Sequence, residues 1–326
     1  MTKISVVLCT HNPRPDFLRR VLDALRRQTL ALHEWELLVV DNASTQNLAE
    51  QWDISWHPKA RHVREDQVGL TAANLRGLRE AAAEVIVFVH DDNVLEPDYL
   101  EKALEILQRM PFLGAFNGST IGEFEGTLPS GAHMMPEQLA VREIKKPAWG
   151  CVPGTRAIYF APVGAGMVIR REVLQHYSEK LETEPLRKAL GRQGSSLSSG
   201  EDTDMAYCAC ELGYAVGVFP DLSLLHLMPE ARLQRDYLLR LAEGMAFSHA
   251  ILRYLWDKRL PQVPEPGPLS RSARLYESYK RWRGSFGKRR EPTFEEEQRL
   301  VSVAGLKRAK NFIEEFEREQ QTKTGG

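Results

Sequence analysis

The chain has 326 residues, 43% of them apolar, with 43 basic against 44 acidic side chains. That length suits one large α/β domain with an appendage, and the balanced charge leaves no footprint for nucleic acid over the chain as a whole. Four cysteines (Cys9, Cys151, Cys208 and Cys210) form no Cys-x-x-Cys pair, so reduced thiols rather than a disulfide framework are expected. Thr2-Lys3 runs at once into a strand-like segment, and no window approaches the ~20 apolar residues of a membrane span. The expectation is a cytoplasmic protein, at most peripheral to the inner face of a membrane.

In chain order, Ile4 to Cys9 is a β-branched apolar run that reads as a buried strand. Phe17, Leu18, Val21, Leu22 and Leu25 then recur at helical spacing. Glu36 to Val40 predicts a second strand, ended by Asp41-Asn42. Thr71 to Ala83 predicts a helix, and Val85 to Val89 a third buried strand, ended by Asp91-Asp92-Asn93. A helix is expected to open at Pro97. Strand then helix, repeated, predicts an open, largely parallel sheet flanked by helices. Ligands bind such sheets beyond the carboxyl ends of the strands. Thr10, Asn12, Asp41, Asp91 and Asp92 fall there.

Asn117 to Ala157, rich in Gly, Pro and isolated aromatics, reads as a substrate-facing insertion. Val163 to Ile169 is strand-like, Gly194 to Gly200 is a Ser/Gly loop, and Glu201 to Leu212 is a helix stopped by Gly213. Ala215 to Phe219 is a further strand, and Arg232 to Trp256 has long helical periodicity. Residues 1–230 are therefore expected to form the catalytic domain, with 231–259 a helical extension packed on it. Residues 260–269 hold four prolines and read as a linker. Residues 270–326 form a tail: a basic stretch with Tyr276, Tyr279, Trp282 and Phe286 interleaved, then an amphipathic helix over Phe294 to Gln320. Such a tail suits membrane-surface contact or self-association, or simple packing on the domain's own surface.

Four constellations carry chemistry. Asp91-Asp92 ends a buried strand, and a diphosphate needs a hard divalent cation held by one or two carboxylates; such a pair also serves merely to cap a helix. Glu201-Asp202-Thr203-Asp204 opens a helix, where a carboxylate can be held as a general base, or can simply complement the helix dipole. His226 ends an apolar run and gains interest from the suspected metal. Asp41 could accept the imide N–H of a pyrimidine, or form an Asp-Asn turn.

Together these pieces resemble the family 2 glycosyltransferases, which have the GT-A fold and invert the anomeric centre. The resemblance rests on Ile4-Ser5-Val6-Val7-Leu8-Cys9-Thr10-His11-Asn12, Val39-Val40-Asp41-Asn42-Ala43-Ser44, Gly69 to Asn74, Asp91-Asp92-Asn93, Gly164 to Met167, Glu201-Asp202 and His226. It covers roughly residues 3 to 230. It implies that Thr10, Asn12, Asp41, Asn74 and Asp91 hold the nucleotide. It implies that Asp92, with His226, binds Mn²⁺ or Mg²⁺, and that Asp202 is the general base with Glu201 beside it on the acceptor. The implied partners are a nucleotide-sugar donor, with UDP foremost, and a hydroxyl acceptor in glycan or glycoconjugate synthesis. His90, Asn93, Ala73 and Gln46 depart from the residues many members carry. A catalytically inactive nucleotide-sugar-binding protein of the same fold is the alternative. A dinucleotide-dependent oxidoreductase is disfavoured because no G-x-G-x-x-G follows the first strand. A nucleotidyltransferase is disfavoured because Thr-His-Asn-Pro-Arg-Pro stands where its Gly-rich loop belongs.

Overall fold

The structure is a computed structural model in which residues 1–133, 135–154, 159–192, 197–264 and 291–324 are described. Its first strand, β1 (Ile4–Thr10), is buried along its whole length, and its side chains divide by parity. Val6 and Leu8 join one apolar cluster with Leu37, Val39, Val87 and Val89. Val7 and Cys9 join another with Leu38, Val40, Ile86 and Phe88. A strand alternates its side chains between two faces, so continuous apolar runs mean a sheet covered on both sides.

Helices supply the covers. On the first face lie α1 (Pro15–Arg26), with Pro15 opening its first turn and Phe17, Leu18, Val21, Leu22 and Leu25 buried, and α4 (Tyr99–Arg109). On the second lie α3 (Leu70–Glu80), α6 (Arg171–Thr183) and α7 (Glu201–Glu211). A short α2 (Leu48–Gln51) follows β2 (Trp35–Asn42), and α5 (Met135–Gln138) follows β6 (Leu113–Phe124). The other strands are β3 (Ala60–Glu65), β4 (Val85–His90), β5 (Asn93–Leu95), β7 (Ala148–Gly150), β8 (Val168–Arg170) and β9 (Ala215–Met228).

The sheet runs β3-β2-β1-β4-β8-β6-β9-β5, with β7 on β9. The long pairings, β1 with β2 and β4, β2 with β3, and β6 with β9, are parallel. The short ones through β8, β5 and β7 are antiparallel.

Several boundaries differ from the sequence reading. β3 was not expected: its pattern is mixed, with Val63 its one buried side chain. The supposed insertion from Asn117 begins inside β6, a long interior strand of the sheet. Its glycines hide it and fit it: a Cβ on Gly118 would lie 2.0 Å from the Leu222 carbonyl oxygen. Val163 to Ile169 is strand only from Val168, because Gly166 takes φ +69 and turns the chain. The helix expected from Pro97 starts at Tyr99, and β9 continues to Met228, well past Phe219.

After β9, α8 (Arg235–Asp257) buries Leu238, Leu241, Phe247, Ile251 and Leu255. The C-terminal helix (Phe294–Thr324) lies along α8, with Phe294, Ala309 and Ile313 buried in the clusters α8 helps to form. The basic, aromatic stretch 270–290, half of the proline-rich linker and part of the Ser/Gly loop lie outside the described residues. Among the described residues no helix is long and apolar enough to cross a membrane.

Candidate active site

Parallel pairing brings the carboxyl ends of β1, β2 and β4 level, with Thr10 opposite Asp41 and Cys9 opposite His90. The polar residues that end these strands therefore share one edge. Thr10 Oγ1 donates to Asp91 Oδ2 at 2.5 Å. Asn12, at φ +47, ties two loops together: its N–H donates to Ser44 Oγ, and its Oδ1 accepts from the Thr45 N–H, both at 2.9 Å. Asn tolerates that left-handed conformation better than most residues.

Asp41 closes one end of the edge. Its Oδ1 accepts from the Ser44 N–H at 3.0 Å and its Oδ2 from Arg64 at 2.6 Å. Burial opposes its ionisation, but the Ser44 and Arg64 bonds prevail and its pKa lies below the ordinary value. Asp41, Ser44, Thr45, Asn47, His62 and Arg64 line an open groove of about 460 Å³. Asn74 reaches this edge from the second face, through Cys9. It is buried on α3, where its Oδ1 accepts from the Cys9 thiol at 3.3 Å.

Asp91 and Asp92 follow β4 in a turn and meet different partners, Thr10 and Arg232. Burial, with the Asp92 charge, pushes Asp91 up to about 6. Burial also opposes ionisation of Asp92, yet His226, Arg232 and His90 hold it well below the carboxylate range. The antiparallel β5–β9 pairing sets Asn93 opposite His226. This brings His226 Nε2 to 3.5 Å from Asp92 Oδ2. The same oxygen accepts from Arg232 at 3.0 Å, and Asp92 Oδ1 accepts from Asn93 at 2.8 Å. Arg232 was missed in the sequence. It stands beyond β9 in a short turn with no motif around it, and only the folded chain returns it to Asp92.

Whether a hard cation fits here can be judged from the donors. Among the described residues no group of three or more His, Cys, Asp or Glu could hold a metal. Asp92 and His226 offer two donors on one side. Mg²⁺ typically takes one or two protein carboxylates, with substrate phosphates and water completing its shell. The pair fits a cation of that kind delivered with a diphosphate.

Across Gly164 from the end of β4, α7 presents its acidic first turn. Gly200, at φ +121, starts it. Asp202 Oδ2 accepts from the Gly164 N–H at 2.7 Å and Oδ1 from the Thr203 N–H at 2.8 Å. A Cβ on Gly164 would lie 3.5 Å from both Asp202 Oδ2 and His90 Cε1, so the β4 end and the α7 start face each other across that glycine. Glu201 is more deeply set: Oε2 accepts from Thr71 at 2.5 Å, and Oε1 is buried with no partner among the described residues. Burial pushes its pKa up to about 7. Asp204 is fully buried, paired with Arg187 and accepting from Trp256 at 2.7 Å.

The edge thus gathers a polar groove at Asp41, a carboxylate–imidazole pair at Asp92 and His226, and a partly exposed carboxylate at Asp202. Residues 5–166 match the family model for glycosyl transferase family 2. The chain belongs to that family. Among curated relatives of this chain, glycosyltransferase AglE of Haloferax volcanii is 24% identical over 131 residues, 39% of this chain and 41% of that one. Validoxylamine A glucosyltransferase of Streptomyces hygroscopicus subsp. jinggangensis is 32% identical over 105 residues, 31% of this chain and 24% of that one. The chain spans about half or less of the length of the curated relatives it matches.

Among solved structures, TarS 1-349 of S. aureus in complex with UDP-GlcNAc aligns over 96% of this chain and 92% of its own. Its TM-score is 0.52 at 14% identity. GalNAc-T7 with UDP, GalNAc and Mn²⁺ aligns over 87% of this chain and 56% of its own, with a TM-score of 0.50 at 14% identity. The fold of this family 2 glycosyltransferase is GT-A: a mostly parallel α/β sheet with a C-terminal helix added.

Proposed function

We propose that this chain is an inverting glycosyltransferase that moves a sugar from a nucleotide diphosphate, UDP foremost, to an acceptor hydroxyl. The observation that carries the proposal is that Asp202 on α7 faces the end of β4 across Gly164, where His90 stands two residues before Asp92, on the edge that Asp41 closes. Residues 1–230 are the catalytic unit in this reading.

Thr10, Asn12 and Asp41 bind the nucleoside around the groove, with Asp91 beside Thr10 toward the ribose. Asn74 contributes by holding α3 against β1. Asp92 and His226 hold a divalent cation, Mn²⁺ or Mg²⁺. When bound, that ion supplies positive charge to the leaving diphosphate. Support comes from the UDP-GlcNAc and the UDP with Mn²⁺ named for two chains of the same fold.

Asp202 removes the acceptor's hydroxyl proton. Two backbone N–H donors fix its carboxylate, so little reorganisation precedes proton transfer. The acceptor oxygen then bonds to the anomeric carbon as the bond to the diphosphate oxygen breaks on the opposite face, through an oxocarbenium-like state. One displacement inverts the centre, and the nucleoside diphosphate departs with the bonding pair. Glu201, at about 7 and half engaged by Thr71, lies beside Asp202 to meet the acceptor.

The test is a thermal-shift panel of UDP, GDP, dTDP and CDP sugars with Mn²⁺, on the wild type and on Asp92→Asn. A ligand specific to the folded state raises its apparent stability. The wild type should be stabilised by one nucleotide class in a Mn²⁺-dependent manner, and Asp92→Asn should lose the Mn²⁺ dependence. A wild type indifferent to all four classes, or unchanged Mn²⁺ dependence in the variant, would count against this function.

A further inference from the structure

A polar side chain inside a sheet is costly unless all its bonds are made. Asn117, on the interior strand β6, is 0% exposed. Its Nδ2 donates to two carbonyls, Val163 at 3.1 Å and Ala165 at 3.2 Å, and its Oδ1 accepts from Arg142 Nη2 at 2.8 Å. The partners fix the amide's orientation: only a donor suits two carbonyl oxygens, and only an acceptor suits a guanidinium.

The Val163 carbonyl and the Gly164 N–H belong to one peptide unit. That unit is planar and trans, so its C=O and N–H point in opposite directions. Anchoring the carbonyl on Asn117 therefore aims the N–H, and it is this N–H that donates to Asp202 Oδ2 at 2.7 Å. The bonds at the two ends also polarise each other. Turning that peptide over would take the N–H away from the carboxylate it serves.

We propose that Asn117 is a positioning residue for Asp202, acting through the Val163–Gly164 peptide, with Arg142 holding Asn117 in register. The inference rests on the reading of Asp202 as the general base. Asn117→Asp keeps the acceptor for Arg142 and removes both donors. It sets carboxylate oxygens against two carbonyls, so the peptide must turn and Asp202 loses its aim.

The experiment measures release of nucleoside diphosphate from UDP, GDP, dTDP and CDP sugars with Mn²⁺, with water as acceptor. It uses the wild type, Asn117→Asp, Asp202→Asn and the double variant. Asn117→Asp should turn over roughly 10- to 100-fold slower with donor KM kept within about 2-fold, as expected for a misplaced reacting group. In the Asp202→Asn background the same change should cost less than about 2-fold, because residues acting as one unit are not additive. A merely structural Asn117 would cost the same in both backgrounds, and that result overturns the inference while leaving Asp202 as base. Unimpaired turnover in Asp202→Asn, or no release from any donor by the wild type, overturns the base reading and the inference with it. If Asn117→Asp does not fold, Arg142→Lys removes the planar donor to Asn117 and should show the same dependence on background in milder form.

Discussion

Two acidic residues of α7 differ from Asp202 in what surrounds them, and each difference has a measurable consequence. Glu201 is held at about 7 by burial, against an ordinary value of 4.5. Between those values the folded chain binds a proton that the unfolded chain has released. Stability must therefore fall as pH rises from about 4.5 to about 7, then level off. The full gap corresponds to roughly 3 kcal/mol. Glu201→Gln should erase that segment of the pH profile and be the more stable protein at pH 8, as read by urea denaturation across pH 4 to 8. Parallel profiles for the two proteins would contradict the burial of an uncompensated carboxyl at this position.

Asp204 gives the opposite case. From sequence it was one more acid in a first helical turn; in the fold it is a buried partner of Arg187 and Trp256. Asp204→Asn should cost about 3–5 kcal/mol of stability, the range for breaking a buried pair. Turnover per folded molecule should stay near normal. A stable variant with poor turnover would move the catalytic role to Asp204.

At the scale of elements, the C-terminal helix buries Phe294, Ala309 and Ile313 in clusters shared with α8, and Gly305 lies against that helix. A Cβ there would lie 2.3 Å from the Glu243 carbonyl oxygen and 3.1 Å from Ala246 Cβ. Glycine to alanine in a helix ordinarily gains about 1 kcal/mol. Here the contact is with backbone, which cannot swing aside, so Gly305→Ala should lower the melting temperature, with a cost of about 1–3 kcal/mol as for other overpacked sites. A higher melting temperature would show that the helix is not seated on α8 in solution.

The elements also show what was legible. β1, β2, β4 and α1 announce themselves because each carries an unbroken period, of two faces in a covered sheet or of 3.6 in a helix, and α7 through its acidic first turn and the Gly213 stop. β6 was lost because Gly114, Gly118 and Gly122 interrupt the apolar run. Those glycines are there for neighbours far along the chain: Tyr214 and Ala209 crowd the first, Leu222 the second. β3 was lost because its residues are mostly half-exposed. Asp41, Asp91, Asp92, Asp202 and His226 were picked out as candidate site residues through motif order. Arg232, Arg64 and Asn117 were not, since each gains its meaning only from a partner 140, 23 or 46 residues away.

Over the whole molecule, two apolar clusters clamp the sheet from both faces and leave its carboxyl edge as the polar margin. The α7 turn and the β5–β9 pairing bring Asp202 and His226 to that margin from distant parts of the chain. The account stands or falls on a single inverting displacement driven by Asp202. Proton NMR of the anomeric signal during transfer from the donor identified by thermal shift tests it most directly, run on the wild type and on Asp202→Asn. The account predicts a product of inverted configuration, and a variant that binds donor normally but forms product roughly 10²- to 10⁴-fold more slowly. A product with the donor's own configuration, or near-normal turnover in Asp202→Asn, would contradict it.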